Sequence, residues 1–137
     1  DPHLTDGQEG IDPKFTPLYL WGGLYVSLAD DEIVEAEQLR LEKMFEPAEL
    51  ESALDKVENE DQEFCFEQFK KAKNKRPEPV SALDVHQILS AVMSIAASDG
   101  TLDDQEITAT EKLGALFGVE PSYVDHLIEY LQEDDRL

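Results

Sequence analysis

Apolar residues along this chain recur at intervals of three and four. After Pro17, Leu18, Trp21, Leu24, Tyr25 and Leu28 fall at helical spacing. Ile33, Leu41, Met44 and Phe45, with Glu37 among them, predict a second helix ended by Pro47, which also opens a third at Ala48. Leu50, Leu54 and Val57 share one face of that third helix. Phe64, Phe66 and Phe69 mark a fourth, ending in the basic run Lys70 to Arg76. Leu83, Ile88, Leu89, Val92, Met93, Ile95 and Ala96 are apolar around most of a fifth helix, which predicts a central, buried element. Leu102, Ile107, Leu113, Leu116 and Phe117 define a sixth, with Gly118 as a left-handed cap. Pro121 starts a seventh carrying Tyr123, Val124, Leu127, Ile128 and Leu131. No period-two alternation bounded by hairpin turns appears, so the pattern predicts an all-α, single-domain bundle of about seven helices.

Two stretches break the pattern. Residues 1–14 (DPHLTDGQEGIDPK) are rich in proline and glycine and read as a flexible lead-in or linker before a domain at 15–137. Arg76 to Val80 (RPEPV) is a stiff break, because neither Pro77 nor Pro79 fits a helix interior. It separates halves at about 16–76 and 81–133.

The halves echo each other. Leu20 to Asp30 (LWGGLYVSLAD) aligns with Leu89 to Asp99 (LSAVMSIAASD), and the register continues through Ile33 with Leu102, Glu37 with Glu106 and Met44 with Leu113. Each half reads as an apolar helix, a short acidic turn and an amphipathic helix with an early Glu. Two such helical hairpins can pack about a pseudo-twofold axis. That would bring Asp30, Glu37, Asp99 and Glu106 towards a common place.

Charge changes the picture next. Thirty-two acidic and 11 basic residues among 137 leave a formal charge of −21. Nucleic-acid binding draws its affinity from Lys and Arg on phosphates, so this balance argues against it, and equally against docking on anionic membranes. Cations and basic partners remain open. With 41% hydrophobic residues, the chain has enough apolar material for a core. The single cysteine, Cys65, allows no intrachain disulfide and suggests a cytoplasmic setting, at the inner face of the membrane if a parent protein or complex holds it there. No apolar run approaches the ~20 residues of a membrane helix, so direct membrane insertion is not expected.

The acidic turn Asp99 to Glu106 (DGTLDDQE) matches the second half of a calcium loop. The first half fails, because Ile95 and Ala97, and in the other copy Val26 and Leu28, stand where carboxylates would have to be. A conventional EF-hand is excluded. Two readings remain. In one the turn only caps helices: Gly100 ends one, Thr101 with Asp104 resembles a capping box, and Asp103 and Asp104 suit the positive end of the helix dipole. In the other, Asp30, Glu37, Asp99 and Glu106 converge, and a divalent cation relieves their repulsion. Oxygen-only ligands select Ca2+ or Mg2+ over zinc or copper.

At Val92 to Glu106 (VMSIAASDGTLDDQE) and Leu116 to Val119 (LFGV), the chain resembles the TerB-like family of tellurite-resistance proteins, a module shared with the N-terminal region of certain membrane-anchored DnaJ-like proteins. The resemblance covers about 16–133 and is closer in the second half; Asp31 stands where the family often has Gly. It implies an all-helical bundle with an acidic, metal-linked surface and no catalysis of its own. It also implies a role in stress-response complexes near the membrane, through contacts with a protein partner or a parent polypeptide. The acidic pairs carried over are Asp30 with Glu37 and Asp99 with Glu106. The alternative is a regulatory or accessory domain of a larger enzyme, such as a membrane-associated protease or chaperone. The start at Asp1 and the linker-like residues 1–14 motivate that reading.

The remaining reactive residue types read as structural. His86 is expected to be a packing residue on the central helix, and Cys65, between two phenylalanines, a small buried hydrophobe. The run Lys70, Lys71, Lys73, Lys75 and Arg76 reads as a favourable helix C-terminus, or alternatively as a docking point for an acidic protein. Trp21 beside Gly22 and Gly23 predicts close helix packing. No phosphate loop, nucleophile elbow or zinc motif is present in the sequence, and no enzymatic activity is expected.

Overall fold

The computed structural model describes residues 15–30, 33, 35–58, 60–75, 80–97 and 103–133; of Asp30 and of 130–133 only the backbone is described. Among these residues the chain forms seven α-helices and no strand: α1 Thr16–Ser27, α2 Glu35–Met44, α3 Pro47–Glu58, α4 Gln62–Asn74, α5 Ala82–Ala96, α6 Asp104–Ala115 and α7 Pro121–Glu133. A single 3-10 turn, Leu28–Asp30, follows α1. The expectation of an all-α bundle of about seven helices holds. The expected lead-in 1–14, and the 76–79 part of the proline break, lie outside the described residues.

The helix boundaries follow local chemistry. Pro17 sits in the first turn of α1, and Pro47 and Pro121 open α3 and α7, where a missing N–H costs nothing. Asp61 caps α4, its Oδ1 accepting from the Phe64 N–H at 3.2 Å. Ser81 caps α5 by accepting from the Asp84 N–H at 3.1 Å. After α6 the chain reverses through Gly118 at φ +79°, and the Val119 N–H returns to the Gly114 carbonyl at 3.0 Å. Only glycine takes that backbone conformation without strain, as expected for a left-handed cap.

Two helices form the centre. The sequence pointed to α5, and seven of its side chains are indeed buried; α1 is buried more completely, along nearly its whole length from Leu18 to Ser27. It packs against α4, α5 and α6. An apolar face on every side suits such surroundings. The glycine pair allows the approach. A Cβ on Gly22 would lie 2.9 Å from Val92 Cγ2 and 3.1 Å from the Phe69 ring, and one on Gly23 would lie 2.6 Å from Ile95 Cδ1. Edge-to-face contacts at 5.8 Å, Trp21 on Phe64 and Phe69 on Phe117, lock α4 onto α1 and onto the turn after α6.

Candidate functional site

The four predicted ligands divide into two described and two not. Asp99 and the Asp30 carboxylate lie outside the described residues. Glu37 and Glu106 are both buried, at 2% and 4% exposure, and each is the third residue of its helix. A carboxylate at that depth is costly unless its oxygens are engaged.

For Glu106 part of the engagement is visible. Its Oε1 accepts from the Asp103 N–H at 3.0 Å, and its own N–H donates to Asp103 Oδ1 at 2.8 Å. This reciprocal pair is a capping box at the start of α6. The sequence reading placed such a box at Thr101 and Asp104, and the structure moves it two residues along. The reason is reach: a Glu side chain extends back to the N-cap N–H, whereas the shorter Asp104 does not match that role. The signal was present in the sequence as Asp103-x-x-Glu106. Thr110 adds a further tie, its hydroxyl donating to the Glu106 carbonyl at 2.9 Å.

The packing brings each acidic helix against the other half of the chain. α2, which carries Glu37, packs on α5, where Arg40 Nη2 donates to Ser94 Oγ at 3.5 Å. α6, which carries Glu106, packs on α1 and on the 3-10 turn that ends at Asp30. The backbone of the first acidic turn therefore lies against the helix that buries Glu106.

Beside that junction is an open cleft of ≈ 290 Å³, lined by Tyr25, Ala29, Gln62, Asp104, Thr108 and Lys112 among others. Gln62 Nε2 donates to the Tyr25 carbonyl at 2.9 Å, tying the start of α4 to the end of α1. Burial, with help from the Glu63 charge, raises the Tyr25 phenol above its ordinary value, so it remains a neutral hydroxyl. Sequence reading missed this cleft, because its residues come from three helices and a turn. Among the described residues, no group of three or more His, Cys, Asp or Glu is arranged to hold a metal.

The other reactive side chains are occupied structurally. His86 Nδ1 lies 3.1 Å from the Tyr123 hydroxyl and links α5 to α7, in keeping with a packing role. Cys65 is fully buried, and burial, then the Asp61 charge, pushes its thiol up to about 12. In the basic run, Lys70 pairs with Glu67 at 3.3 Å on the surface, and Lys73 lies over the Phe117 ring. Arg76 lies outside the described residues.

Comparison with known families settles the lineage. A family model described as "Tellurite resistance protein TerB" matches residues 22–127, which take in α1 from Gly22 onward, all of α2 to α6 and the larger part of α7. The chain belongs to the TerB family. The TerB match includes both acidic turns and both buried glutamates. No curated protein and no solved structure matched this chain. No described helix of this TerB family member is long and apolar enough to cross a membrane.

Proposed function

We propose that the chain is a non-enzymatic acidic TerB-like module that binds a divalent cation, Ca2+ or Mg2+, and mediates protein contacts in a stress-response or membrane-associated complex. One observation carries the cation part: two buried glutamates at the same position of two helices, each seven residues after an aspartate. Their oxygen donors suit a hard cation. Glu37 and Glu106 would supply ligands from helices, and Asp30 and Asp99 from the turns before them. The crossed packing of α2 on α5 and of α6 on the first acidic turn favours an origin by duplication.

The capping role of Glu106 makes the test specific. Glu106→Gln keeps an oxygen that can accept from the Asp103 N–H but removes the charge. Calorimetric titration with calcium and magnesium should show binding to the wild-type protein. A thermal melt should rise, by about 2.7 kcal/mol of stabilisation at a hundredfold excess over Kd. Glu37→Gln and Glu106→Gln should both abolish the rise while leaving the metal-free melt close to wild type. No heat and no shift at millimolar metal would reject the cation part.

A further inference from the structure

α2 and α3 diverge from the short link at Phe45 and Glu46, and a groove of ≈ 440 Å³ opens between them. Its lining is mostly apolar: Leu50 is buried in the floor, Leu54 half-buried, and Pro47 closes one end. Glu42 stands on the α2 side and Glu51 and Asp55 on the α3 side. None of these three carboxylates forms an ion pair among the described residues, although Lys43 and Lys56 stand on the same two helices. Leu39, the residue after the groove-lining Gln38, is 52% exposed. α3 itself is peripheral, with its main contacts confined to α2 and α4.

We infer that this groove docks an amphipathic helix of a separate protein, with an apolar stripe on the floor and Lys or Arg on its flanks. Charge complementarity selects this occupant: three unpaired-by-cation carboxylates frame an apolar trough on a chain of net charge −21. An acidic or neutral helix would leave that rim uncompensated. Size agrees as well. The α3 lining, Pro47 to Asp55, runs about two and a half turns, matching apolar anchors at i, i+3 or i+4, and i+7. The inference rests on the protein-contact part of the proposed function and not on the cation part.

The test uses a fluorescent peptide of about 18 residues, five helical turns, with Leu at helical spacing and Lys on the flanks. A scrambled peptide of the same composition is the control. Glu51→Lys with Asp55→Lys reverses the rim. Asp125→Lys with Glu129→Lys makes the same charge change at the same spacing on exposed positions of α7. The amphipathic peptide should bind the wild-type chain, the rim reversal should weaken it by about tenfold, and the α7 reversal by less than about twofold. Leu54→Ala should weaken it several-fold; if that variant melts early, the exposed rim pair still decides the question. Equal binding of the scrambled peptide, equal loss in both reversals, or no binding would overturn the inference. So would self-association that the rim reversal abolishes, since a second copy would then fill the groove. Calcium titration of the rim variant separates the two readings: an unchanged calcium response with lost peptide binding assigns the loss to the groove. A missing calcium response with peptide binding intact counts against the cation alone.

Discussion

The two halves put residues that align in sequence to different work. At the centre, α5 supplies the bulk and α1 the hollows: Gly22 and Gly23 stand where α5 carries Ala91 and Val92, and the side chains of Val92 and Ile95 fill the space above them. At the acidic turns, Glu37 and Glu106 hold the same helix position and are buried alike. Yet Glu106 is preceded three residues earlier by Asp103, and Glu37 by Val34. Valine has no side-chain acceptor, so the reciprocal capping box of α6 has no equivalent in α2. A buried glutamate stands in both places although only α6 has an N-cap side chain that can return the bond. That difference turns attention from local helix chemistry to what the two helices share, a polar group held inside against the opposite half.

The asymmetry at the centre offers the largest effect. Gly22→Val puts bulk on both partners of one contact, against the stiff, buried Val92 and the Phe69 ring. It should cost about 3 kcal/mol, towards the upper end of overpacking, seen as a lowered urea midpoint. Gly23→Ala should cost less, because the atom it meets is the terminal methyl of Ile95, which can rotate away. If both are neutral, the close approach of α1 to α5 is not what holds the core.

The acidic turns come next. Asp103→Ala removes the N-cap acceptor of α6 and should cost about 1–2 kcal/mol, with a melting temperature lower by several degrees whether or not calcium is present. A loss confined to calcium-containing buffer would instead assign Asp103 to cation binding. The smallest effect concerns Ser27, which is fully buried with a hydroxyl that has no hydrogen-bond partner among the described residues; the residue aligned with it in sequence is Ala96. Ser27→Ala should therefore stabilise the fold, by about 0.5–1 kcal/mol, because a desolvated hydroxyl is removed. A drop in melting temperature would show that the hydroxyl is engaged after all.

Much of the fold was legible beforehand because its signals are local. Pro17, Pro47 and Pro121 mark helix starts through a missing donor, and Gly118 marks an end through its freedom at positive φ. The burial of α5 followed from apolar residues around most of its circumference. The candidate site was only half legible. The internal match singled out Glu37 and Glu106, and both are buried, but the position of the capping box was misread, because Thr101 to Asp104 and Asp103 to Glu106 are overlapping signals. Only the geometry of the first turn of α6 separates them. The cleft beside Tyr25 and the groove between α2 and α3 were not legible at all. The cleft is bounded by residues distant in sequence, and the groove, although its lining falls within residues 38–55, is a gap between two helices, about which a spacing rule has nothing to say.

By itself, then, the sequence determined the number and type of the helices, the proline starts and the glycine stop among them, the acidic balance and the early glutamate in each half. All of these depend on contacts within a turn or two of chain. Tertiary structure alone decided that α1 shares the centre with α5, that α6 rests on the turn of the first half, and that α2 and α3 part to leave an apolar trough under an acidic rim. Those outcomes depend on which surfaces exclude water together, and that is settled by the volumes of residues far apart in the chain.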